Sequence, residues 1–107
     1  MKIKKLTFLC EQDGSPEQEL KNVFHAYFSE NSGVIKAFLT LVAYNNLPEH
    51  NVALCLVAPT ANKEKIVQNV SKLFRNMFGA DQLLDILFLD KKQEKDAEKV
   101  CKPFFER

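Results

Sequence analysis

Apolar residues follow two rhythms along the chain, and each change of rhythm marks an element. Residues 3–10 carry Ile3, Leu6, Phe8 and Leu9 in a short run that stops at Glu11, which predicts a first strand. Asp13-Gly14-Ser15-Pro16 then reads as a turn into a helix. Ser15 suits the N-cap, Pro16 the first helical position, and Gln18 completes a capping-box pattern. Leu20, Val23, Phe24, Tyr27 and Phe28 recur at three- and four-residue steps, the stripe of a one-faced amphipathic helix. Asn31-Ser32-Gly33 ends it.

From 34 to 44 the chain is rich in β-branched and aromatic residues, and the spacing predicts a long second strand. Residues 45–50 form a polar connection, and 52–58 are apolar throughout, as in a strand covered on both faces. A second helix is expected over 62–78, with Ile66, Val70, Leu73 and Met77 as one stripe widened by Val67, Phe74 and Phe78. Gly79 stops it. Residues 84–89 predict a fourth strand, and Asp90 with Gln93 caps a short charged helix that Pro103 terminates.

The order is strand, helix, strand, strand, helix, strand and a helical tail. It predicts an α+β fold: a ferredoxin-like split βαββαβ antiparallel sheet, two helices on one face and a short C-terminal helix. Right-handed crossovers would place the first and third strands together in the centre and the second at an edge. If Ile35, Leu39 and Leu41 meet the helices, then Phe38, Val42 and Tyr44 point to the other face. That face is expected to be uncovered and to serve as the interface of a homodimer. The alternative is that the tail helix folds back over it and the protein is a monomer. Phe104 and Phe105, beside Pro103, are expected either to dock into the body or to anchor a partner.

Composition narrows the function more by exclusion than by assignment. A chain of 107 residues, 46% hydrophobic and 27% charged, has room for one domain spanning 1–107 and one hydrophobic core. Fifteen basic and fourteen acidic side chains leave a net charge of +1, without the basic excess that nucleic-acid binding usually needs. The second strand does show Lys36, Phe38 and Tyr44 on one face, but 52–58 lacks the glycine–aromatic pattern of an RNA-binding strand. No apolar run is long enough for a signal peptide or membrane span, and the narrow apolar side of the tail helix gives no membrane-binding face. Three cysteines without CxxC spacing argue against a disulfide framework or a thiolate zinc site, so a cytoplasmic protein with reduced thiols is expected.

Candidate chemistry is sparse. Cys55 sits in an apolar strand, where burial raises a thiol pKa, and Cys10 and Cys101 have no neighbouring histidine in sequence. His25 and His50 lie 25 residues apart, with no carboxylates at ligand spacing, so no metal is expected. Asp81 and Asp85 would share a face only in a helix, and Asp85 and Asp90 flank a strand. Gly14, Gly33 and Gly79 are isolated and form no phosphate loop, so no cofactor is expected.

Three segments resemble the C-terminal domain of the SseB family, the enhanced serine sensitivity proteins. They are Gly33-Val34-Ile35-Lys36-Ala37-Phe38-Leu39, Leu84-Asp85-Ile86-Leu87-Phe88-Leu89-Asp90 and Pro103-Phe104-Phe105-Glu106-Arg107. That domain commonly ends in Pro-Phe-Tyr-Glu-Arg, so Phe105 stands where a tyrosine is usual. The N-terminal domain typical of the family does not occur in these residues, as in a stand-alone copy or an excised piece. The family name records a growth phenotype and no reaction. The sequence therefore supports a non-catalytic protein-interaction or self-association domain, with Phe38, Val42, Tyr44, Phe104 and Phe105 as interface residues. The competing class is a small enzyme or ligand-binding domain whose site is assembled from scattered polar groups.

Overall fold

A computed structural model describes residues 6–12, 14–30, 33–45, 48–59, 62–79 and 84–106. The elements follow the expected order: β1 (Leu6–Glu11), α1 (Ser15–Ser29), β2 (Lys36–Tyr44), β3 (His50–Val57), α2 (Lys63–Phe78), β4 (Asp85–Phe88) and α3 (Lys91–Glu98). A two-residue strand, β5 (Phe105–Glu106), was not foreseen from the sequence. The expected extension of the first strand over 3–5, and the helix-ending Asn31 and Ser32, lie outside the described residues.

Local chemistry sets the helix boundaries. Asn62 caps α2 by accepting the Lys65 amide at 3.1 Å, and Gly79 ends it at φ 81°, a conformation that favours glycine. Asp90 and Gln93 form the expected capping box on α3: Asp90 accepts the Gln93 amide at 2.8 Å, and Gln93 accepts the Asp90 amide at 3.0 Å. The start of α1 differs from expectation. Its cap is Gly14, one residue before Ser15, and this glycine has no side chain to make a capping hydrogen bond. The Glu17 carboxylate folds against Gly14, where an added Cβ would lie 2.6 Å from its Oε2.

The sheet is mixed and runs in the order β1-β2-β3-β4. This differs from the ferredoxin-like arrangement. β2 pairs antiparallel with β1 and with β3, so β1 and β3 are not neighbours and β2 is no edge strand. Among the described residues, only β3 and β4, joined by α2, pair in parallel. The physical reason lies in β2 itself. Its apolar side chains are covered on both faces, and a central place also pairs both of its backbone edges. The edge facing β1 is shared: β1 covers positions 40–44, and β5 pairs Lys36 with Glu106 and Ala37 with Phe105. A bulge between Phe8 and Cys10 shifts the β1 register, and the buried Thr40 hydroxyl donates to the Cys10 carbonyl there at 2.7 Å.

The two faces of the sheet carry separate cores. On one, Leu20, Phe24 and Phe28 of α1 and Ile66 and Val70 of α2 meet Leu39, Leu54 and Leu56, as the helical stripes predict. Phe74 packs at the margin of this core and is only half-buried. On the other, Phe8, Phe38, Val42, Ala53 and Cys55 lie under Leu89, Ala97 and Cys101. The tail helix therefore covers the face that strand parity assigned to Phe38 and Val42.

Full burial makes Phe28 the more sensitive of the two aromatic positions. Phe28→Ala is expected to lower the unfolding free energy by about 3–5 kcal/mol, and Phe74→Ala by clearly less. Equal losses in urea titrations would contradict this division of the core.

Candidate functional site

The positions first considered for chemistry do not converge. Cys55 is fully buried, Cys101 is buried beneath the α3 end, and Cys10 is exposed. Burial pushes the Cys55 and Cys101 thiols up to about 12, the reverse of what a nucleophile needs. His25 is exposed, with Ser29 Oγ 3.3 Å from its Nδ1 and its ring edge-on to Phe105 at 5.2 Å. His50 is exposed at the start of β3. Among the described residues no three His, Cys, Asp or Glu side chains gather as a metal site would require. Asp81 lies outside the described residues.

The expected interface residues have different fates. Phe38 and Val42 are completely buried beneath α3, so neither is on the surface of this fold. The sequence left α3 free to cover them or not, and Ala97 of α3 with the flanking Leu89 and Cys101 makes the cover. Tyr44 is half-buried and donates its hydroxyl to Asp85 Oδ2 at 2.8 Å, reaching from β2 to β4. Burial, followed by that hydrogen bond, raises the Tyr44 phenol above its ordinary range. Phe105 is buried in the helix-side core, and Phe104 stacks on Phe28 at 6.4 Å, so the terminal pair docks into the body.

Two ionic clusters hold the C-terminal segment, and the sequence showed neither. Lys36 opens β2, and its ammonium meets Glu94 at 2.8 Å and Glu98 at 3.0 Å on α3 and Glu106 at 3.4 Å on β5. The hydrogen bonds to Glu94 and then Glu98 raise its pKa above the ordinary value. Glu11 accepts from Lys21 Nζ at 3.2 Å and from the Lys102 amide at 3.0 Å, tying α1 and the tail to β1. The charges over 91–102 are of mixed sign, a pattern that by itself gives only a solvated helix face. The glutamates that matter are those one helical turn apart at 94 and 98, aimed at a lysine 58 and 62 residues earlier, and no local spacing reveals that.

Among the described residues, two concave regions border β4. At the carboxyl ends of β3 and β4 a cleft of about 440 Å³ is lined by Ile35, Val57, Ala58, Phe88 and Leu89, with Lys63, Lys91, Asp90 and Glu94 among its charged groups. Asp90 is engaged as a helix cap and Glu94 by Lys36. Lys63 stands over the Phe88 ring at 5.4 Å. Along the start of β4 a more open groove of about 490 Å³ runs between Val67 and Ser71 of α2 and Tyr44 of β2, with Leu84 to Leu87 as its floor.

The raised thiols and the raised Lys36 act in one direction on stability. Each has a folded pKa above its unfolded value, so its contribution is whole below the unfolded pKa and is lost as pH rises through the folded one. Stability is expected to fall from about pH 9 upward, where thiols of the unfolded chain begin to ionise. In the folded protein at pH 8 an aromatic disulfide reagent should label Cys10 rapidly and Cys55 and Cys101 only on unfolding. Rapid labelling of all three thiols would contradict the burial described.

The SseB protein C-terminal domain family matches residues 8–107, nearly the whole chain. No curated protein and no solved structure gives a significant match. The matched span includes every helix and strand described above, with only the first two residues of β1 outside it, and on that ground the chain belongs to the SseB protein C-terminal domain family.

Proposed function

We propose that this chain is a single non-catalytic domain that acts through protein contacts, and that its contact surface is the β4 edge. The observation that carries this reading is the contrast between the two sides of the sheet. β1 is interrupted by a bulge, one of the devices that protects an edge from pairing. β4 is regular, apolar at Ile86, Leu87 and Phe88 with Leu84 just before it, and has no second strand beside it among the described residues. Val67, 37% exposed, adds an apolar side chain to the same groove. On this reading the interaction lies away from Phe38, Val42, Phe104 and Phe105, which serve the core, with Tyr44 at its margin. The three unpaired cysteines, two of them buried, suit a reducing compartment, and we assign the protein to the cytoplasm. Among the described residues no helix is long and apolar enough to cross a membrane.

Affinity capture from the native host tests the reading if wild type is run beside Ile86→Pro. The Ile86 amide faces away from β3, so proline removes an edge donor and leaves the β3 ladder intact. Specific partners, or the chain itself, should be lost with Ile86→Pro and kept with Val100→Ala. Capture indifferent to Ile86 would defeat the β4 reading.

The cleft beneath Lys63 and Lys91 supports a second reading, a ligand-binding domain for a small acid with an apolar body. Phenylacetate should then shift the amide resonances of Ile35, Ala58 and Leu89, and Lys63→Glu with Lys91→Glu should abolish the shifts. Unmoved resonances at saturating phenylacetate would remove this alternative.

A further inference from the structure

We propose that β4 pairs with β4 of a second copy of this chain, antiparallel, about a two-fold axis through Ile86. The proposal rests on the interaction-domain reading and names its partner.

Leu89 donates its amide to the Leu56 carbonyl at 2.8 Å, so the groups of Leu89 face β3. Along a strand successive residues turn their amide and carbonyl to opposite edges. The groups of Leu87 and Asp85 therefore also face β3, and those of Leu84, Ile86 and Phe88 face outward. These three also point their side chains to the helix-side core. The open edge thus presents its hydrogen-bonding residues and its apolar residues at the same positions.

Parity then restricts the partner. Residues opposite each other in an antiparallel pair share a face and form a bonded pair only if both turn their groups toward the seam. A two-fold through Ile86 satisfies both conditions. It sets Ile86 opposite its own copy and Leu84 opposite Phe88 of the second copy, in both directions. A two-fold through Leu87 pairs Ile86 with Phe88 but sets Leu84, the residue just before β4, opposite Asp90, whose amide and carbonyl are already engaged by Gln93 and Glu94 of α3. The Ile86 axis is thus the one that pairs Leu84, Ile86 and Phe88 together.

Charge agrees with this register. Asp85 is the only charged side chain of β4, and the Ile86 axis sets it opposite Leu87 of the second copy, so no like charges face each other. The Asp85 carboxylate already accepts from Tyr44 on the α3-side face. Val67 lines the groove beside Ile86 on the helix face, where a second copy across the edge would cover it. A foreign strand would need to supply the same apolar alternation, which this chain carries itself.

Three measurements on the full chain test the pairing. Light scattering from micromolar to millimolar concentration should show the mass rising to that of a dimer. Over the same range, exchange of the Ile86 and Phe88 amides should slow by about tenfold or more, because these amides gain acceptors only in the dimer. In a Cys10→Ser background Ile86→Cys should form an intermolecular disulfide on mild oxidation. A bonded antiparallel pair holds its Cα atoms about 5.5 Å apart, within disulfide range. Thr7→Cys on the opposite edge should not cross-link, and the melting temperature of each variant confirms that it is folded. A monomer at every concentration overturns the self-pairing. So do a dimer that survives Ile86→Pro, and Ile86 and Phe88 amides already protected in the dilute monomer. A monomer whose captured partner still depends on Ile86 would refute the second copy and leave the interaction-domain reading standing.

Discussion

Everything in this fold depends on how β2 satisfies both of its edges and both of its faces at once. A nine-residue strand with Phe38, Leu39, Thr40 and Val42 almost wholly inaccessible needs two strand neighbours and two covering layers. β3 supplies one edge by a hairpin. β1 is too short and too bulged to fill the other, and the chain's last segment completes it, with the Phe104 amide donating to the Ala37 carbonyl at 2.9 Å. The helices α1 and α2 cover one face and α3 the other. The C-terminal residues are thus structural because of a requirement set in the middle of the sequence.

That dependence explains what was legible in the sequence. Periodicity located each major element, the α3 capping box and the helix-facing residues, because these are local properties. Strand parity separated Leu39 from Phe38 correctly for the same reason. Strand order was not legible. A strand as apolar as β2 signals that it is buried on both sides, yet its neighbours are chosen by pairings across long sequence separations. The ferredoxin-like order followed from the element string, and the observed order followed from the backbone needs of β2. β5 was hidden because two residues give no period. The placement of α3 was hidden because a helix whose one buried residue is Ala97 shows almost no stripe.

The same contrast runs through the candidate site. Thiols, histidines and carboxylates are conspicuous in a sequence, but Cys55 and Cys101 are buried and His25 and His50 are exposed without converging partners. The β4 edge is inconspicuous because 84–89 reads as any buried strand does. Only the topology shows that one of its backbone edges has no strand neighbour among the described residues. Interaction surfaces made of backbone are therefore invisible to motif reading, whereas metal and nucleophile sites are not.

The hold on α3 shows which force decides here. Three carboxylates converge on Lys36, and Glu11 joins Lys21 to the Lys102 amide, so the segment looks electrostatically clamped. Ion pairs near the surface contribute about 0–1 kcal/mol each. Burying one large apolar side chain contributes about 1.5–3 kcal/mol. Phe38 and Val42 both depend on α3 and its flanks for cover, so the apolar term exceeds the ionic one. The charges do something that burial cannot. Hydrophobic cover is non-directional, and a helix presenting little more than Ala97 to the sheet would slide or rotate over it at small cost. Lys36 at one end and Glu11 at the other fix the position of the segment, and with it the approach that lets Phe105 reach Ala37. Burial holds the tail down, and the ion pairs set where it lies.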